Sequence, residues 1–234
     1  MTVRKYDFVI SLGSACQTAY QLKKRGLRQR SGPFDWFIIP CARLIEVLQN
    51  DFADFMALCN LEIQGEKNGC YTVRDTRYNT RSMHDFHLHA DVGDAFADYP
   101  AFRERLDRRI GAFRRQLDTA WSILFVQTGA TKQESLRLHQ VLIDKRPGRR
   151  TELLVLGNGD EFDADWHVPG IRPCRAAFAS NPADGAWKGD AAGWRRALAG
   201  VALKKTSLRQ LQDRIVCTRP YEKSMMLYHR LVGE

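Results

Sequence analysis

The sequence predicts an α/β fold, a three-layer sandwich built on a mainly parallel sheet, and three observations point to it. Apolar runs at residues 6–12, 121–127 and 152–156 have the shortness and continuity of strands buried on both faces. Between them lie segments whose apolar residues recur at helical spacing. Strands and helices alternate along the chain, the pattern of a parallel sheet covered by helices on each side.

The elements follow in order. The first strand, 6–12, breaks at Gly13-Ser14, and a helix spans 16–25 with Gly26 as its C′ residue. A compact loop over 29–37 holds Pro33-Phe34-Asp35-Trp36. After Pro40 a second helix runs to 58, with Leu44, Ile45, Leu48, Phe52 and Phe55 at helical spacing. Residues 62–90 read as irregular strands, one at 71–73 and another within 78–89. From Pro100, an N1 residue, an amphipathic helix reaches 118. Its apolar face is Phe102, Leu106, Ile110, Phe113 and Leu117, and its other face is mainly arginine. Strand 121–127 ends at Thr128-Gly129, and Thr131-Lys-Gln-Glu134 has the form of a capping box opening a helix to 145. Strand 152–156 closes on the turn Gly157-Asn158-Gly159-Asp160. Residues 160–190 read as loop with one strand near Ile171, and helices at 190–199 and 206–215 precede the tail. With no internal repeat and no long linker, residues 1–234 are expected to form a single α/β domain.

Composition narrows the function classes. At 44% hydrophobic and 27% charged residues, the chain is globular and not disordered. No apolar run approaches the length that crosses a bilayer, and the first residues lack the apolar stretch of a secretory signal, so a cytoplasmic protein is expected. Its cysteines (16, 41, 59, 70, 174 and 217) include no CxxC pair, which argues for free thiols and against zinc. The net charge of +9 leaves nucleic acid, an anionic surface or an acidic substrate as partners. No nucleic-acid motif accompanies it, and the dibasic pairs read as solvated faces, so nucleic acid is not expected.

Chemistry concentrates at the first strand-to-helix turn. In an open α/β sheet, ligands gather beyond the carboxyl ends of the strands. Cys16 stands there in the first turn of a helix, where unpaired N–H groups and the dipole favour thiolate. A buried structural cysteine is the competing reading. Ser14 or Ser11 at the same turn gives a serine-esterase alternative, although the residues do not spell G-x-S-x-G. A cysteine nucleophile needs a base, and His84-Asp85-Phe86-His87-Leu88-His89 is the best supply, with His167 in reserve. A histidine pair beside an aspartate can also hold a metal, but no third ligand is evident and no cofactor is expected. Asp35, between Phe34 and Trp36, can accept backbone N–H groups or orient a histidine. His139, read on the polar side of its helix, and His229 read as surface residues. Gly13, Ser14, Trp36 and His87 are the expected substrate contacts.

These residues carry a resemblance. Ser11-Leu-Gly-Ser-Ala-Cys16, the helix ending Gly26-Leu27-Arg28, and Ser31-Gly-Pro-Phe-Asp-Trp36 resemble the opening signature of a bacterial family described as papain-like cysteine peptidases, a domain of unknown function. His84-Asp85-Phe86, the Arg108-Arg109 helix and Ile123-Leu-Phe-Val126 match in the same order, so the resemblance spans residues 6–160. It implies a thiol nucleophile at Cys16, a base at His84 and an orienting carboxylate at Asp85 or Asp35. It also implies a papain-like α+β fold as the alternative architecture. The segment around Cys16 departs from the C-G-S-C-W string of papains. The expected activity is cysteine-dependent hydrolysis or acyl transfer on a peptide, acyl or anionic substrate. The rivals are a serine-type esterase or deacylase of surface glycans or lipids, and a non-catalytic module that holds an anionic partner.

Overall fold

The computed structural model describes residues 3–89, 93–176 and 188–204. In chain order the first half contains β1 (Arg4–Tyr6), β2 (Phe8–Ser11), α1 (Cys16–Lys24), β3 (Phe37–Ile38), α2 (Cys41–Gln49), β4 (Leu61–Lys67), β5 (Cys70–Asp75) and β6 (Thr80–Ser82). Then come α3 (Tyr99–Thr119), β7 (Ser122–Thr128), α4 (Lys132–Asp144), β8 (Arg150–Gly157), β9 (Ile171–Arg175), α5 (Ala191–Ala197) and β10 (Val201–Leu203). The helix expected over 206–215, Cys217 and His229 lie outside the described residues.

The central sheet is wholly parallel, in the order β2-β7-β8-β9. Side chains alternate across it, and each set enters a different apolar cluster. Phe8, Ile10, Ile123, Phe125, Leu153 and Val155 pack with Leu44, Leu48, Phe113 and Leu138 of the helices α2, α3 and α4. Val9, Leu124, Val126, Leu154 and Leu156 pack with Leu22 of α1 and Trp194 of α5. The fold is therefore α/β with helices on both faces of a parallel sheet. Ser11, Val126, Leu154 and Arg172 stand in one register row, which aligns the carboxyl ends of the four strands.

Residues 61–82 form something the sequence only hinted at: an antiparallel sheet, β3-β6-β5-β4, whose Phe37 and Val73 join the first cluster. β4 escaped detection because it is polar and exposed after Leu61, with no alternation to read. Its one signal was Asn68-Gly69, which makes the two-residue turn between paired Lys67 and Cys70, both turn residues at positive φ.

Three other expectations shift for local reasons. The strand expected over 6–12 splits at Asp7, whose carboxylate turns away to accept Ser122 N–H at 2.7 Å and to meet Lys204 Nζ at 3.1 Å. The helix after Pro40 stops at Gln49 and not at 58. Asp51 turns left-handed (φ 47°), Asp51 N–H bonds Leu48 O, and Phe52 N–H bonds Val47 O, a Schellman ending. That reversal sends Phe52 and Phe55 against Phe34, with ring centroids 5.3 and 5.9 Å away. His139, expected on a polar face, is buried and its Nε2 lies 3.1 Å from Thr151 O, because Gly170 leaves room for the ring.

A buried cation closes the opposite, amino edge of the sheet. Arg146 donates to Leu117 O, Ala120 O, Arg150 O and Thr151 Oγ1, tying the end of α3 to β8. Burial, with Arg149 adding, pushes its guanidinium down to about 10, so it stays charged at neutral pH. Replacing it with methionine keeps the stem but takes a donor from four acceptors and leaves Leu117 O and Ala120 O with Arg149 Nη1 alone. Arg146→Met should lower stability by about 3 kcal/mol, and the midpoint of thermal unfolding by roughly 6–12 °C, read by circular dichroism.

Candidate functional site

The turn after β2 is the most constrained piece of backbone at the carboxyl edge. Gly13 and Ser14 both take positive φ, 86° and 77°. A side chain at Gly13 would meet Phe34 O at 3.0 Å, so glycine is required there twice over. Ser14 has no such freedom, and holding it left-handed costs on the order of 1 kcal/mol. Hydroxyls fasten the turn to the end of β7: Thr18 Oγ1 and Thr128 Oγ1 each donate to Gly13 O, at 3.3 and 3.4 Å. The N–H of Gly13 bonds Ser11 Oγ at 3.3 Å.

This turn delivers Cys16 as the first residue of α1. Ala15 occupies the N-cap and supplies no side-chain cap. Cys16 is half-buried, and its Sγ donates to Trp36 O at 3.9 Å. Burial pushes the thiol up to about 12; its own backbone N–H opposes this, and the Asp85 and Asp35 carboxylates add to it. The sequence argument from the helix dipole favoured thiolate. In the folded chain desolvation is the larger effect, so the resting sulfur carries its proton.

Asp35 is bound from three sides: Arg28 Nε at 2.8 Å, Arg28 Nη2 at 2.6 Å and Gly32 N–H at 2.7 Å. The two side chains are 4% and 2% exposed, a buried ion pair in which Arg28 Nε and Nη2 both meet Oδ2. The Arg28 guanidinium also lies 5.5 Å over the Trp36 ring. The indole N–H of Trp36 is buried with no hydrogen-bond partner.

His84 and Asp85 arrive on a β-bulge. β6 pairs Val73 with Ser82, but beyond the bulge an isolated bridge sets Cys70 opposite His87, which leaves two extra residues on this side. Bulges re-aim side chains next to functional sites. Here the bulge turns Asp85 inward, where it is buried, accepts Ser82 Oγ at 2.7 Å and lies 3.8 Å from Arg105 of α3. His84 beside it is half-buried. The structure thus gathers Gly13, Ser14, Cys16, Trp36, Asp35 and Asp85 around the first βα turn.

Other candidates are placed elsewhere. His87 and His89 both reach Asp98 on the exposed rim, at 2.9 and 3.2 Å. His167, the reserve base, is exposed beside Asp165 and stands four residues before β9, near the amino edge of the sheet and away from Cys16 at the carboxyl edge. Among the described residues no group of three histidine, cysteine or acidic side chains could hold a metal, and no helix is long and apolar enough to cross a membrane. A cavity of about 400 Å³ opens beside Cys174 at the far end of the carboxyl edge, but its Asp163 and Asp190 are bound to Arg175 and to the first turn of α5. Arginines on α3 have acidic partners too, Arg103 with Asp107, Arg108 with Glu104 and Arg114 with Asp51. Sequence reasoning gave no role to Ser82 or Asp98 and quoted Arg28 only within the opening signature, since the pairing of each with Asp85, His87 and Asp35 is set by the fold.

Comparison with known proteins places these residues in a family context. A family described as "Putative papain-like cysteine peptidase (DUF1796)" matches residues 7–152, the span that contains the turn, the Asp35 loop and the bulge. A protein of Acanthamoeba polyphaga mimivirus, described as "Uncharacterized protein R408", is 28% identical over 134 residues. That match covers 50% of this chain and 60% of the viral one, so the chain spans less than two thirds of the curated relative it resembles. The viral relative means that the comparisons do not support the bacterial restriction expected from the sequence. No solved structure matches the chain. With more than half of its length matched, the chain belongs to the DUF1796 family of papain-like cysteine peptidase description.

Proposed function

We propose that the protein is a cytoplasmic cysteine-dependent hydrolase or acyl-transfer enzyme in which Cys16 is the nucleophile. The observation that carries this reading is the sulfur's position: half-buried at the start of an uncapped helix, in a strained strand-to-helix turn at the carboxyl edge of a parallel sheet. Because the resting sulfur is protonated, the reading requires general-base catalysis and not a standing thiolate. His84 takes the Cys16 proton as Sγ bonds the acyl carbon, and the imidazolium returns it to the leaving amine, alcohol or thiol. Water then cleaves the thioester and regenerates the thiol. Asp85, held by Ser82, fixes the charge beside the base, and the uncapped N–H groups of α1 stabilise the oxyanion.

Ser14 supports a second reading. A serine at positive φ in a strand-to-helix turn has the strained backbone of a nucleophile elbow. Hydrolysis of activated esters, thioesters and peptide amides separates the two. Cys16→Ala should lose at least about 10³-fold in kcat/KM while Ser14→Ala keeps most activity. The reverse pattern, with wild type labelled by a fluorophosphonate, selects the serine.

A further inference from the structure

After the bulge, the segment at His87 bridges to β5 and its turn through Tyr71 N–H to Phe86 O at 2.8 Å and Leu88 N–H to Gly69 O at 3.0 Å. Its far end is fastened to α3 by one carboxylate. Asp98 precedes α3 but makes no side-chain cap there. Its Oδ2 instead accepts the backbone N–H of His87 at 2.7 Å and lies 2.9 Å from His87 Nδ1 and 3.2 Å from His89 Nε2. The three side chains are 53%, 39% and 25% exposed, so protons reach all of them.

We propose that Asp98, His87 and His89 form a proton-sensitive latch that sets how firmly the bulge carrying His84 and Asp85 is held in place. The latch stands on its own geometry; its effect on catalysis rests on the reading of Cys16 and His84 given above. A neutral imidazole gives the carboxylate one hydrogen bond, and a protonated one gives a charge-assisted ion pair. Protonated rings therefore hold the Asp98 carboxylate more firmly than neutral ones, and the latch loosens as pH rises.

The surrounding groups leave that sign intact. Asp98 is held below the usual carboxylate range: burial opposes this, but the bonds from His87 N–H and the two imidazoles outweigh it, so it stays ionised from about pH 5.5 to pH 8. Cys70, opposite His87, has its thiol pushed up by burial, with Asp85 and Asp98 adding, so it remains neutral. Asp85 is bound by Ser82 and faces Arg105, and Asp94 is bound to Phe96 N–H at 2.8 Å.

Amide hydrogen exchange of the full chain tests the latch without any assay of activity. Corrected for intrinsic rates, protection of the Tyr71 and Leu88 amides should fall about three- to tenfold between about pH 5.5 and pH 8, the size of two partly exposed ion pairs. Central-sheet amides such as Phe125 and Leu154 should not change, and they report that each variant is folded. Asp98→Asn, and His87→Gln with His89→Gln, should abolish the pH step and leave the low protection at both pH values. Equal wild-type protection at the two pH values, or a step that survives in Asp98→Asn, overturns the proposal. Neither outcome depends on whether Cys16 is a nucleophile, so the two readings fail separately.

Discussion

Asp35→Ala should be among the most destabilising single substitutions in the chain, costing about 3–5 kcal/mol and lowering the thermal midpoint by roughly 6–20 °C. The reason is desolvation. Arg28 is 4% exposed, and two of its nitrogens lie within 2.8 Å of Asp35 Oδ2. Removing the carboxylate leaves a buried guanidinium without its counter-ion and frees Gly32 N–H. The loop then loses the contact that places Trp36, whose carbonyl receives the Cys16 thiol. Replacing both partners, Arg28→Met with Asp35→Leu, should recover much of the loss, because an apolar pair removes the uncompensated charge. Thermal denaturation of the single and double variants measures both effects. Near-equal stability of Asp35→Ala and wild type would show that the ion pair does not hold this loop.

The second large effect is on the reactivity of Cys16. A thiol pushed up to about 12 holds almost no thiolate at neutral pH, so iodoacetamide should alkylate it at least about a hundredfold more slowly than a small free thiol at pH 8. The sign follows from which form burial disfavours. Charge on the sulfur is penalised, so the rate should climb about tenfold per pH unit from pH 7 to 10, whereas a free thiol levels off near pH 9. Asp85→Asn removes one of the two negative charges acting on the sulfur and should speed alkylation about three- to tenfold at fixed pH. The rate should remain below that of the free thiol, because burial persists. Peptide-resolved mass spectrometry reads each site, with exposed Cys59 as the internal standard. A Cys16 that reacts faster than the free thiol at pH 7 would restore the standing-thiolate picture.

The sequence made the parallel core legible because periodicity and burial agree there. β7 and β8 are apolar on both faces, and the Thr131–Glu134 capping box and Gly26 mark helix ends by local chemistry. β4 was hidden because its exposed polar residues carry no pattern, and α2 was drawn too long because Phe52 and Phe55 reach the core through left-handed turns and not along a helix. The Cys16 turn was legible for the same local reason, a glycine at a strand-to-helix junction. What surrounds the sulfur was not. Arg28 and Asp35 are seven residues apart, but Asp85 lies 69 residues from Cys16 in sequence, and its charge acts on the sulfur only through the fold. The thiolate expected from the helix dipole is opposed by burial and two carboxylates, which are tertiary facts.

The most direct test is to trap the acyl intermediate. Wild type is mixed with an activated thioester or ester, quenched in acid, and the peptide containing both Ser14 and Cys16 is weighed before and after neutral hydroxylamine. The added acyl mass should appear on that peptide, vanish with hydroxylamine as a thioester does, and be absent from Cys16→Ala. An adduct that resists neutral hydroxylamine and persists in Cys16→Ala would place the chemistry on an oxygen and contradict the assignment of Cys16.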